Sequence, residues 1–189
     1  MSEIIEIVPY SSRWPEEFRQ LEEELTNSIG SYVLAIDHIG STSVPGLAAK
    51  DVIDIQVTVA SLDIPLQPML EKLGYQRKLH LSDHRPPGRE DLPEEALQKH
   101  FYFKSSRRVN LHVRVAGRFN QRYALLCRDY LRTHPHAARA YGEIKQQLAK
   151  YFPDNADAYY DIKDPVFDVL MEGAYIWEAA TTGKNALPH

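Results

Sequence analysis

The sequence predicts an α+β fold: a small mixed β-sheet with helices packed on it, followed by a helical C-terminal part. Two segments, 52–59 and 108–115, alternate between apolar and polar residues with the period of a half-buried strand. Phe18, Leu21 and Leu25, and again Leu66, Met69, Leu70 and Leu73, recur at helical spacing. From Asn120 to about residue 180 the pattern is helical throughout. A chain of 189 residues accommodates one domain with a real core. The boundaries expected are a single domain over 1–180, its sheet-containing core about 1–118 and its helical part about 119–180, with 181–189 a disordered tail.

Ile4 to Val8 reads as a short strand or extended arm. The first helix carries Pro15 in its first turn and Glu16 and Glu17 near its positive end, and Gly30 stops it. Tyr32 to Ile39 is a strand leading into a turn. After the strand 52–59, Asp63 opens a second helix and Tyr75 to Leu79 forms a short strand. His80 to Pro93, with three prolines and a glycine, is the longest loop and suits a lid, a binding loop or a plain insertion. His100–Lys104 and Arg108–Val115 form a hairpin around Ser105-Ser106-Arg107. Asn120 caps a helix to Arg132, Thr133-His134-Pro135 breaks it, and His136–Phe152 follows. A last helical section straddles Lys163-Asp164-Pro165.

The chemistry is expected at the turn after the first long strand. Gly40 lets the backbone approach a ligand, and Ser41, Thr42 and Ser43 offer N–H and hydroxyl donors to phosphate oxygens. In the next strand Asp54 and Gln56 share a polar row, and Lys50 stands at its mouth as a phosphate contact or an ordinary surface lysine. In the hairpin, Arg108, Asn110, His112 and Arg114 make a second polar row, with His112 and Arg114 suited to phosphate or base contacts.

Three phrases add a resemblance: HIGSTSVPGLAAKDVIDIQV from His38, CRDYLRTHPHAARAY from Cys127 and YYDIKDPVFDV from Tyr159. Together they resemble the GrpB family, a bacterial group assigned to the polymerase-beta type nucleotidyltransferase superfamily and found also fused to dephospho-CoA kinases. The resemblance runs from about Ile7 to Trp177. It implies a nucleotidyltransferase-like fold, a nucleoside triphosphate or other phosphorylated small molecule as partner, and Mg²⁺ as cofactor. Asp54 matches the first acid of the superfamily pattern, as catalytic and metal-binding residue. Gln56 stands where the second acid would be, and Asp51 is the reserve metal ligand. An amide is a weak substitute for a carboxylate on a hard cation. Two functions therefore stay open: a nucleotidyltransferase with an unknown acceptor, or a non-catalytic nucleotide- or phosphate-binding accessory module linked to coenzyme A metabolism.

Composition narrows the field. Hydrophobic residues make up 43% and charged residues 25%, ordinary for a globular protein, and no apolar run is long enough for a membrane span or secretory signal. A single cysteine, Cys127, permits no intrachain disulfide, so a cytoplasmic location is expected. The formal net charge is −4, but 96–128 holds eight Lys and Arg and no Asp or Glu. Such a segment in an acidic chain points to a local anion site or to basic strand edges rather than a nucleic-acid footprint. The histidine spacing gives no zinc motif, and neither zinc nor haem is expected.

Overall fold

The computed structural model describes residues 4–79 and 82–183. Helix α1 (Trp14–Ile29) is followed by strands β1 (Ala35–Ile39) and β2 (Ile53–Val59), helix α2 (Gln67–Lys72) and strands β3 (Gln76–Lys78), β4 (His100–Lys104) and β5 (Val109–Val115). Helices α3 (Phe119–Thr133), α4 (Pro135–Tyr151) and α5 (Ala156–Thr182) complete the chain. The five strands form one sheet in the order β1-β2-β5-β4-β3, with β2 and β5 parallel and the other pairs antiparallel. That is the mixed sheet expected.

Strand parity divides the sheet into two chemically different faces. Ile53, Ile55, Val57 and Val59 of β2 and Val109, Leu111 and Val113 of β5 are buried in one cluster with Trp14, Leu21, Leu25, Ile29, Leu66 and Leu70. Helices α1 and α2 therefore cover the apolar face. The opposite face carries Asp54, Gln56 and Thr58 beside Asn110, His112 and Arg114, register partners across the parallel pair. A second core joins α3, α4 and α5 to the loop after β1 through Val44, Leu47, Leu126, Leu131, Tyr141 and Met171.

The N-terminal segment takes the extended-arm alternative, held by one bridge between Val8 and Ala49 and by a hydrogen bond from the Ile5 N–H to the Pro153 carbonyl. Asn120 is no cap: it lies inside α3, which begins at Phe119, and its amide is used in tertiary contacts. The last helical section is one helix, and α5 runs continuously through Pro165. Burial of Tyr159, Met171 and Ala174 on either side of the proline holds the helix together where propensity alone would break it. Thr181 and Thr182 belong to the last turn of α5, and the expected disordered tail otherwise lies, from residue 184, outside the described residues. No helix among the described residues is long and apolar enough to cross a membrane.

The contact of α3 with α5 is tight at Gly173. A Cβ there would stand 2.6 Å from the Tyr130 hydroxyl, and the Tyr130 ring is stacked on His134 with centroids 4.0 Å apart, so it cannot simply swing aside. Gly173→Ala is expected to destabilise the fold by about 1–3 kcal/mol through overpacking, read as a lower urea midpoint with unchanged slope.

Candidate functional site

A cavity of about 710 Å³ lies between the polar sheet face and the three C-terminal helices. This is the size of a small-molecule site. Eight Lys and Arg side chains line it (Lys50, Lys78, Lys99, Arg108, Arg114, Arg128, Lys145 and Lys163), against three aspartates (Asp54, Asp83 and Asp164). The lining therefore carries an excess of basic over acidic side chains.

The Gly40 turn forms one edge. Gly40 has φ 68° and ψ −174°, a conformation close to glycine-only, and a Cβ added there would lie 2.9 Å from the Asp54 Cβ. Glycine at this position lets the turn and the carboxylate share one space. The three hydroxyls behind it do not act as a set, contrary to the sequence reading. The buried Thr42 hydroxyl donates to the Val52 carbonyl at 3.1 Å, and with its only proton so used it accepts from His38 Nε2 at 3.0 Å. Ser43 donates to the Gly40 carbonyl at 2.6 Å. Both hydroxyls hold the turn in shape. The Ser41 side chain lines the cavity, where its Oγ accepts from Lys145 Nζ at 2.8 Å.

Asp54, His112 and Arg114 line the same cavity with Ser41 at its edge, as strand parity predicts. Asp54 Oδ1 accepts from Asn110 Nδ2 at 2.9 Å and lies 3.9 Å from His112 Nε2. Burial pushes the Asp54 carboxyl up, but His112 and Asn110 outweigh burial and hold it below its ordinary value. His112 is driven down to about 4 by burial and by the Arg114 cation, so its ring is neutral at pH 7. Lys99 Nζ and Arg114 Nη2 approach its Nδ1 at 3.3 and 3.4 Å. Both are obligate donors, so Nδ1 accepts and the ring proton sits on Nε2, facing Asp54.

Gln56 and Arg114 are positioned differently from what the sequence suggests. Gln56 is fully buried beneath the cavity floor, its Oε1 accepting from Arg114 Nη1 at 2.7 Å and its Nε2 donating to the Gln121 carbonyl at 3.2 Å. Arg114 is only 5% exposed, and its remaining guanidinium edge forms a bidentate pair with Asp83, both bonds 2.8 Å. Asp83 also accepts from Lys99 Nζ at 2.6 Å and from Asn120 Nδ2 at 2.9 Å. Although burial opposes it, this ring of donors, Arg114 first, keeps Asp83 well below the usual carboxylate range. Asp83 comes from the long loop after β3, two of whose residues, His80 and Leu81, lie outside the described residues. The sequence reading missed it, and a lone aspartate in a loop gives no signal that it closes a site.

Asp51 turns to the other side of the sheet. Its carboxylate accepts from Trp14 Nε1 at 2.7 Å and from Arg107 at 2.6 Å, and it does not line the cavity. Lys50 does face the cavity, donating to the Tyr160 hydroxyl at 2.9 Å. Lys145 of α4 and Lys163 of α5 complete a group of three lysines at the Ser41 end, unseen in the sequence as a group because they are 95 and more residues from Lys50. Arg128 lines the cavity while bound to Asp129 and Asp37 at 2.7 and 3.1 Å.

A pair of carboxylate-bridged Mg²⁺ ions does not suit this donor set. A single Mg²⁺ takes one or two carboxylates together with waters and substrate phosphates, but a two-metal site needs further shared acids. Among the described residues that line the cavity Asp54 is the carboxylate packed against the turn, Gln56 Oε1 is consumed by Arg114, and Asp51 faces away. Among the described residues no group of three or more His, Cys, Asp and Glu could hold a metal ion.

A family model described as "GrpB protein" matches residues 4–173. UPF0157 protein YqkA of Bacillus subtilis is 31% identical over 96% of this chain and 50% of its own length. UPF0157 protein BH1888 of Halalkalibacterium halodurans is 31% identical over 90% of this chain and 82% of its own. A dephospho-CoA kinase of Mycobacterium tuberculosis (strain H37Rv) is 36% identical over 92% of this chain and 47% of that protein. The chain spans about half the length of the first curated relatives it matches. A crystal structure of the conserved protein GrpB from Enterococcus faecalis aligns with TM-score 0.72 and 28% identity, over 92% of this chain and all of that one. The α+β arrangement is thus the nucleotidyltransferase-like fold expected from the sequence.

Proposed function

Since the chain belongs to the GrpB family, we propose that its cavity binds a phosphorylated small molecule, a nucleotide foremost, with the phosphates at the Gly40–Ser41 turn. The observation that carries this is the convergence of Lys50, Lys145 and Lys163 on that end of the cavity, where among the described residues Asp164, at 2.6 Å from Lys163 Nζ, is the one acid bonded to any of them. Cations left without carboxylates in a concave site favour a polyanion. Tyr160 and Phe167 beside them supply aromatic surface for the rest of the ligand.

The same geometry favours a binding module over a transferase. Nucleotidyl transfer, the activity implied by the resemblance, ordinarily relies on two metal ions shared among carboxylates. Asp54 alone stands beside the turn, and with Asn110 donating to it and His112 nearby it fits the role of a polar contact for a ligand hydroxyl or amine. Relatives named dephospho-CoA kinase contain a matching segment over about half their length. That supports an accessory role near coenzyme A metabolism.

Titration calorimetry with ATP, with and without Mg²⁺, tests the reading. ATP is expected to bind with modest Mg²⁺ dependence, and Lys50→Ala/Lys163→Ala to weaken it about 10- to 100-fold, the loss of one or two charge-assisted contacts. Equal affinity in the double variant would remove the phosphate site. Robust pyrophosphate release by the unmodified protein, abolished in Asp54→Asn, would replace the binding module with an enzyme.

A further inference from the structure

Lys145 is the least expected residue in the cavity. It is 3% exposed, on the buried side of α4, and its Nζ donates to Ser41 Oγ at 2.8 Å and to the Ala48 carbonyl at 2.6 Å. Both acceptors are neutral. Among the described residues no carboxylate lies within ion-pair distance of it, and a buried ammonium without a counter-ion is expensive. Three sides of its environment supply no anionic contact at neutral pH. Cys127 of α3 is buried, its thiol pushed up to about 12 and therefore uncharged. The Tyr141 ring, one turn back on α4, lies 4.6 Å from Nζ, and burial raises its phenol far above neutrality. Lys163 of α5 repels it, while Asp54 of β2 attracts it from beyond contact range. Lys50, on the other side of the cavity mouth, adds a further positive charge beside Tyr160.

We propose that Lys145 is the proton-accepting arm of a seat for a terminal phosphate, so that this cavity takes the end of a phosphate monoester or polyphosphate and captures a proton with it. The inference rests on the phosphate-site reading above and deepens it by naming the ligand end recognised. Burial, and then Lys163, lower the Lys145 ammonium to about 7, so that neutral amine and ammonium coexist near neutral pH. A dianionic phosphate brought between Ser41, Lys50, Lys145 and Lys163 supplies the missing counter-charge. It raises the affinity of Lys145 for its proton, and linkage requires that binding then takes a proton up. An internal phosphodiester carries one negative charge for three lysines, so a terminal phosphate gains more from the same seat.

The experiment is calorimetry of ATP, without metal, at matched pH in buffers of different ionisation enthalpy, for the unmodified protein and for Lys145→Arg, which cannot lose its charge. Protons exchanged by the ligand itself appear in both proteins, so their difference isolates Lys145. The unmodified protein should take up more protons than the variant at pH 7.0, and the difference should grow toward one proton at pH 8.0. Its affinity should fall up to tenfold between pH 7.5 and 8.5, and the variant's should not. Should Lys145→Arg not fold, the pH profile of the unmodified protein decides alone: a flat profile from pH 7.5 to 8.5 overturns the inference. ATP binding with equal proton uptake in both proteins also overturns it while leaving the phosphate site standing. No ATP binding to either removes both.

Discussion

Asp83→Ala is expected to cost on the order of 3–5 kcal/mol of folding stability, the range for removing one partner of a buried ion pair. The carboxylate is the shared acceptor of Arg114, Lys99 and Asn120, and Arg114 is 5% exposed. Its loss strands two cations and an amide that water reaches poorly. Asp83→Asn retains the volume but not the charge, and should fall in the same range. The pH dependence follows in sign. Asp83 is held well below the ordinary carboxylate value, so its contribution is fully present above about pH 4 and is lost as pH falls further. Urea denaturation at pH 7 and pH 3 checks both statements: the unmodified protein should lose more stability than Asp83→Asn over that interval. Near-wild-type stability of Asp83→Ala at pH 7 would mean that the loop does not hold the polar sheet face together.

Gly40→Ala should destabilise the protein by about 3 kcal/mol and abolish ATP binding. Two costs combine: backbone angles that an L side chain rarely adopts, and a methyl group driven into Asp54, whose Cβ would be 2.9 Å away. Gly46→Ala separates them. Gly46 also has positive φ, at 80°, but a Cβ there meets nothing within 4 Å. It should cost only the backbone term, about 1–2 kcal/mol, and leave binding intact. Urea denaturation and calorimetry on both variants give the comparison. If both lose binding equally, the packing of Gly40 on Asp54 has no special role in the site.

Much of this was written locally. Alternation at Val52–Val59 and Arg108–Val115 gave two strands and put Asp54, Gln56, His112 and Arg114 on one face, because side-chain direction in a strand depends only on parity. Parity does not report depth, however. Gln56 and Arg114 share that face with Asp54, yet they are closed off by α3 and by the loop carrying Asp83. Asp51, three residues from Asp54, has the opposite parity, and the chain turns it toward Trp14 and Arg107.

By itself, then, the sequence determined the α+β class, the family through its three phrases, the glycine turn and the polar strand rows. Each is encoded in residues close together along the chain, where periodicity and backbone constraint act. Tertiary structure alone decided which polar groups neutralise one another and which are left over. Asp83 reaches Arg114 across 31 residues and cancels it, while Lys145 reaches Ser41 across 104 and finds no acid among the described residues. The physical reason is that charge balance in a cavity is a sum over everything the fold brings within a few ångströms. Sequence spacing carries almost no information about that sum until packing has set the distances.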